Sequence, residues 1–98
     1  MPLPDRPSGP AAAISDEELA AARSAFGDSV RRSRRARRLS QERLAHDVGL
    51  HPSMVGRVER GEVAPSLDTM LKISRGLGTE LVELFDGVEE RGERGKRG

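Results

Sequence analysis

Apolar residues along this chain recur mostly three and four positions apart, and no stretch alternates apolar and polar with period two. That spacing predicts helices and no sheet. Ser15-Asp16-Glu17-Glu18 reads as a capping box, with Ser15 as the cap and Glu18 reaching back to it. Leu19, Ala22, Phe26 and Val30 follow at helical spacing, so a first helix is expected to about Arg37. Gly27 leaves open whether it is one helix or two pieces. Ser40 opens a second helix with Leu44, Ala45 and Val48 on one face, and Gly49 stops it. His51-Pro52 opens a third, because proline lacks only the N–H that a first turn leaves unused. Val55 and Val58 form its inner face and Gly61 ends it. Pro65-Ser66 starts a fourth, with Leu67, Met70, Leu71 and Leu77 read as buried and Gly78 closing it. Thr79 caps a short fifth helix bearing Leu81, Leu84 and Phe85.

The two ends fit none of this. MPLPDRPSGP has four prolines and no periodicity, and RGERGKRG is only glycine and charge. Neither can bury enough apolar surface to offset its ordering entropy. The expectation is one all-α domain over residues 15–87, with disordered tails at 1–14 and 88–98. A domain this small is marginal alone, which favours dimerisation.

Charge alters the picture through its distribution. The net charge is only +1, yet residues 31–43 hold seven arginines and one acid, while residues 76–90 hold five acids and no base. Clustered arginine suits a polyanionic partner, although a solvated helix face explains it equally well at this point. Phe26 and Phe85 are the only aromatic residues. Readers of RNA and single strands stack bases on aromatic rings, so duplex DNA is the better fit.

Cysteine is absent, which excludes disulfides and thiolate metal sites. His46 and His51 do not share a helix face, and no metal-ligand spacing occurs. No glycine-rich phosphate loop or GxSxG elbow is present, so no enzyme activity, metal or cofactor is expected. No apolar run approaches a membrane span and the start lacks a signal-peptide core. The expected location is the cytoplasm, without a membrane partner.

Counting from Gln41 as one, Ala45 is fifth, Gly49 ninth and Val55 fifteenth. Two helices crossing steeply need a small residue at the crossing and a glycine in the turn. Together with Arg34, LSQERLA (39–45), Val48-Gly49, VERGEVAPSLDT (58–69) and LGTELVELF (77–85), this pattern resembles the lambda-repressor-like, or Xre/Cro, helix-turn-helix family from about residue 26 to 87. The resemblance implies a bundle of five helices whose third, at 52–60, enters the major groove. It implies base reading by Pro52, Ser53, Met54, Gly56 and Arg57. Arginine can grip guanine O6 and N7 together, which makes Arg57 the principal candidate. Gln41 matches the family's phosphate-holding position at a helix start. Arg31, Arg38, His51 and Arg60 are further phosphate candidates. Arg34 and Glu59 match a structural ion pair between the first and third helices. Leu81, Leu84 and Phe85 are candidates for a dimer seam.

The chain departs from the family at His51, in place of a serine or threonine cap, and at Gly56 inside the reading helix. It departs also at Arg38, where glycine is usual. The function implied is a sequence-specific, double-stranded-DNA-binding transcriptional regulator, a repressor, acting as a homodimer. The alternatives are an antitoxin that represses its own operon and holds a toxin partner, a protein-bridging module on the same fold, and a binder of DNA without sequence preference.

Overall fold

Three of the four α-helices begin where a serine hydroxyl takes up a free backbone amide. A computed structural model describes residues 1–89. In it α1 spans Asp16–Ala36, α2 Gln41–Val48, α3 Met54–Glu59 and α4 Leu67–Leu77. Ser15 Oγ accepts from Glu18 N at 3.0 Å while Ser15 N donates to Glu18 Oε1 at 3.0 Å, closing a capping box at α1. Ser40 caps α2 and Ser66 caps α4 in the same way, through Arg43 N and Thr69 N.

All four helices end alike. Just past each end a backbone amide donates to the carbonyl five residues back: Leu39 to Arg34, Leu50 to Ala45, Glu62 to Arg57 and Thr79 to Ser74. This Schellman closure needs a left-handed residue just before the donor. Gly49, Gly61 and Gly78 supply it with φ of 73°, 70° and 66°, but at α1 it falls to Arg38, with φ of 57°. That explains why glycine would suit position 38, and why arginine there is strained.

The core is Phe26 and Val30 from α1, Leu44 and Ala45 from α2, Val55 and Val58 from α3, Ile73 and Leu77 from α4, and Leu84. α1 crosses α3, while α2 lies between α3 and α4. Two crossings are tight. A Cβ at Gly27 would overlap the carbonyl oxygen of Val58 and lie 2.7 Å from that of Glu59. One at Gly76 would lie 2.5 Å from Val48 Cγ1 and 2.7 Å from Leu44 Cδ1. α1 runs through Gly27 without a break, because that glycine serves the crossing and not a turn.

Several expectations need correction. The fifth helix is a single 3-10 segment, Leu81–Phe85, so among the described residues four α-helices are followed by a 3-10 turn. The leading residues include a 3-10 turn at Gly9–Ala12. Val88 packs against the core, so the domain does not stop at residue 87. The rest of the expected C-terminal tail, residues 90–98, lies outside the described residues. Leu67 and Leu71 are 59% and 49% exposed. The stripe that α4 buries is Met70, Ile73, Ser74 and Leu77, the same helical period in a different phase. Among the described residues no helix is long and apolar enough to cross a membrane.

Replacing Arg38 by glycine should stabilise the protein by about 1 kcal/mol, the strain of a side chain held at positive φ. A rise in the urea midpoint checks this, and a fall contradicts it. Gly27→Ala should cost at least about 1–3 kcal/mol, because backbone carbonyls cannot step aside as a flexible side chain does. An unchanged urea midpoint would mean that α1 and α3 are not in backbone contact there.

Candidate nucleic-acid interface

The inner side of the helix-turn-helix is organised by one carboxylate. The Glu59 side chain, on the last residue of α3, is 0% exposed. Arg34 reaches it from α1 with Nε to Oε2 at 2.6 Å and Nη2 to Oε1 at 3.0 Å, and sends Nη1 to the Leu39 carbonyl at 2.7 Å. Gln41, the first residue of α2, donates Nε2 to Glu59 Oε1 at 3.0 Å. Arg31 lies 3.5 Å from the same carboxylate and donates to the Glu59 carbonyl at 3.3 Å. Three helices therefore meet on one anion. Burial pushes the Glu59 carboxyl up, but hydrogen bonds from Arg34, Gln41 and Arg31 and the charge of Arg34 outweigh it and hold the group below its ordinary value. Arg34 is correspondingly raised, first by its hydrogen bond to Glu59 and against the opposing effect of burial.

A second cation also ties α1 to the exit of α3. Arg23 Nε donates to the Gly61 carbonyl at 3.2 Å. Positive charge at a helix C-terminus is favourable, and Arg23 and Arg31 both supply it there.

The outer side is different. Pro52, Ser53 and Arg57 are exposed. The Arg57 guanidinium makes no hydrogen bond or ion pair among the described residues. His51 Nδ1 lies 2.9 Å from Ser53 Oγ and accepts from Ser53 N at 3.2 Å. The imidazole thus takes up a free amide at the start of α3, where Ser53 makes no side-chain cap bond.

The structure does not bring all of the candidate residues to one surface. Gly56 is buried beneath the side chains of Arg60 and Gln41, so it is no exposed reader of bases. Met54 is half-buried against the core. The α-helix starts at Met54, so Pro52 and Ser53 lie in the turn before it. Arg31 and Gln41 are held by Glu59, and Arg60 is paired with Glu62 at 2.6 Å. Arg38 is exposed. Leu84 is 2% exposed and belongs to the core, which removes it from a dimer seam. Leu81 is half-buried, and Phe85, 40% exposed, stacks obliquely on Phe26 at 5.7 Å between ring centroids. Sequence reasoning missed Gln41 on Glu59, Arg23 on Gly61 and Arg60 on Glu62. The first two join distant segments, and the third joins two residues only because the chain doubles back at Gly61.

The helix-turn-helix family matches residues 30–84. The chain belongs to that family, one of DNA-binding transcriptional regulators rather than a class of enzymes. Within it, the chain is 40% identical to the control protein C.BamHI of Bacillus amyloliquefaciens over 62% of its own length and 76% of that protein. It is 34% identical to the control protein C.SmaI of Serratia marcescens, over 71% and 83%. Its structure is similar to that of the restriction-modification controller protein C.AhdI from Aeromonas hydrophila, with a TM-score of 0.63 and 46% identity. That match covers 64% of this chain and 96% of the other. Among the described residues no group of three or more His, Asp or Glu could hold a metal ion.

The Glu59 contribution to stability is complete above the ordinary carboxyl value of 4.5 and is lost as pH falls through its lower folded-state value. Glu59→Gln should cost about 3–5 kcal/mol at neutral pH, because Arg34 is left buried without its anion. The variant should also lose less stability on acidification. Urea unfolding of both proteins from about pH 7 to about pH 3 checks this. Equal acid slopes would show that Glu59 is not the group responsible.

Proposed function

We propose that this protein is a cytoplasmic repressor that binds a palindromic DNA site as a homodimer and reads the major groove with α3 and the turn before it. The observation that carries this reading is Arg57: an uncommitted guanidinium on the outer face of a helix whose inner face is pinned. A rigid scaffold beneath a free arginine is what bidentate guanine recognition requires. Ser53, steadied by His51, stands beside it as a second polar reader. Gln41 and Arg38 are proposed to meet the flanking phosphates, Gln41 with the amide hydrogen that Glu59 leaves free.

The homodimer is proposed to form through Val82 and Phe85, apolar residues 69% and 40% exposed. Two α3 helices would then fall about 34 Å apart, one turn of the duplex. The genes controlled are proposed to be those of a restriction–modification system, because the relatives named above are control proteins of that kind.

The test is selection from a random duplex library, with wild type and Arg57→Ala compared. Wild type should enrich a palindrome bound by two protomers. Arg57→Ala should relax one G·C position in each half-site, with a loss of about 1–3 kcal/mol of discrimination there. Failure to enrich any motif would remove the specific-regulator reading. A single protomer on every selected duplex would remove the dimer.

A further inference from the structure

Gly56 is buried beneath the side chains of Arg60 and Gln41. A Cβ there would lie 3.0 Å from Arg60 Nη1 and 3.0 Å from Gln41 Oε1, so the two side chains converge over bare backbone. The other side of the Arg60 guanidinium is already engaged. Its Nε donates to Glu62 Oε2 at 2.6 Å and its Nη2 to Glu62 Oε1 at 3.3 Å. Both side chains are about half exposed, 52% and 50%. The fork of an arginine on two oxygens is also the geometry with which arginine holds phosphate. Glu62 reaches this position because the chain turns left-handed at Gly61 and its amide closes back on the Arg57 carbonyl. The carboxyl is held below its ordinary value, chiefly by the hydrogen bond from Arg60, and is an anion at neutral pH.

We propose that the Nε and Nη2 edge of Arg60 is an anion site for a DNA-backbone phosphate, and that the Glu62 carboxylate fills this site in the free protein. Duplex binding then has to displace an internal anion. The proposal rests on the duplex-binding reading given above. A phosphate carries no base identity, so the competition weakens binding to the selected site and to unrelated duplex alike. It also lowers the salt dependence of binding. An arginine that exchanges one anion for another neutralises less of the DNA than a free arginine would.

The experiment compares full-length wild type, Glu62→Gln, Arg60→Gln and the double variant on the selected duplex and on a random duplex, over a range of salt. All four side-chain combinations are on the surface, and thermal unfolding verifies that each variant folds. Glu62→Gln should bind both duplexes roughly two- to fivefold more tightly, the range an exposed ion pair supplies. Its salt slope should be steeper by about one phosphate. The double variant should bind like Arg60→Gln, because without the arginine there is nothing for Glu62 to occupy. Two results would overturn the proposal: Glu62→Gln binding as wild type does, or the same gain appearing in the Arg60→Gln background. The second would mean only that removing any negative charge helps. Should wild type bind neither duplex, the functional reading falls and this proposal with it. Should wild type bind and Glu62→Gln match it, this proposal falls alone.

Discussion

The carboxylate of Glu59 is the point on which the arrangement turns. An ion enclosed by protein loses its hydration, and only donors placed by other elements can make that loss tolerable. Here Arg34 and Arg31 come from α1 and Gln41 from the first turn of α2. The demand of one anion thus fixes three helices relative to one another. α3 needs this more than any other element. Its six residues are too few for a helix stable in isolation, so its direction is imposed from outside.

Packing works to the same end. Missing side chains at Gly27 and Gly76 let α1 sit on the backbone of α3 and α4 on the side chains of α2. Arg23 and Arg31 meet the carbonyls where α3 ends. The inner face of the helix-turn-helix is therefore fully committed, and among the described residues no buried side-chain polar atom lacks a partner. Freedom is left on the outside, at Arg57 and in the turn at Pro52 and Ser53, where a ligand with its own pattern of acceptors can supply what the protein does not.

Most of the fold was legible because its signals are local. Serine caps at 15, 40 and 66 and glycine ends at 49, 61 and 78 mark boundaries through chemistry within a few residues. The phase of α4 was not legible: Leu67 and Leu71 share helical spacing as well as Met70, Ile73 and Leu77 do, and only the position of α2 decides which set is covered. Leu84 and Phe85 are neighbours with opposite fates for a similar reason, since a 3-10 segment turns successive side chains by about 120°. At the site, Arg57 could be found from its place in a motif. The burial of Gly56, the engagement of Gln41 and the pairing of Arg60 with Glu62 could not, because each depends on where a distant or doubled-back segment comes to rest.

The length of α1 has a mechanical consequence. At 1.5 Å per residue its 21 residues form a rod about 30 Å long. Its middle is clamped to the exit of α3 by Gly27 and Arg23, and nearer its start Leu19 is 39% exposed. With its second half also tied to Glu59 through Arg31 and Arg34, the rod and α3 move as one body. A rigid body continued helically from Asp16 would transmit its orientation to α3, so this end offers a handle for coupling an external motion to the helix-turn-helix.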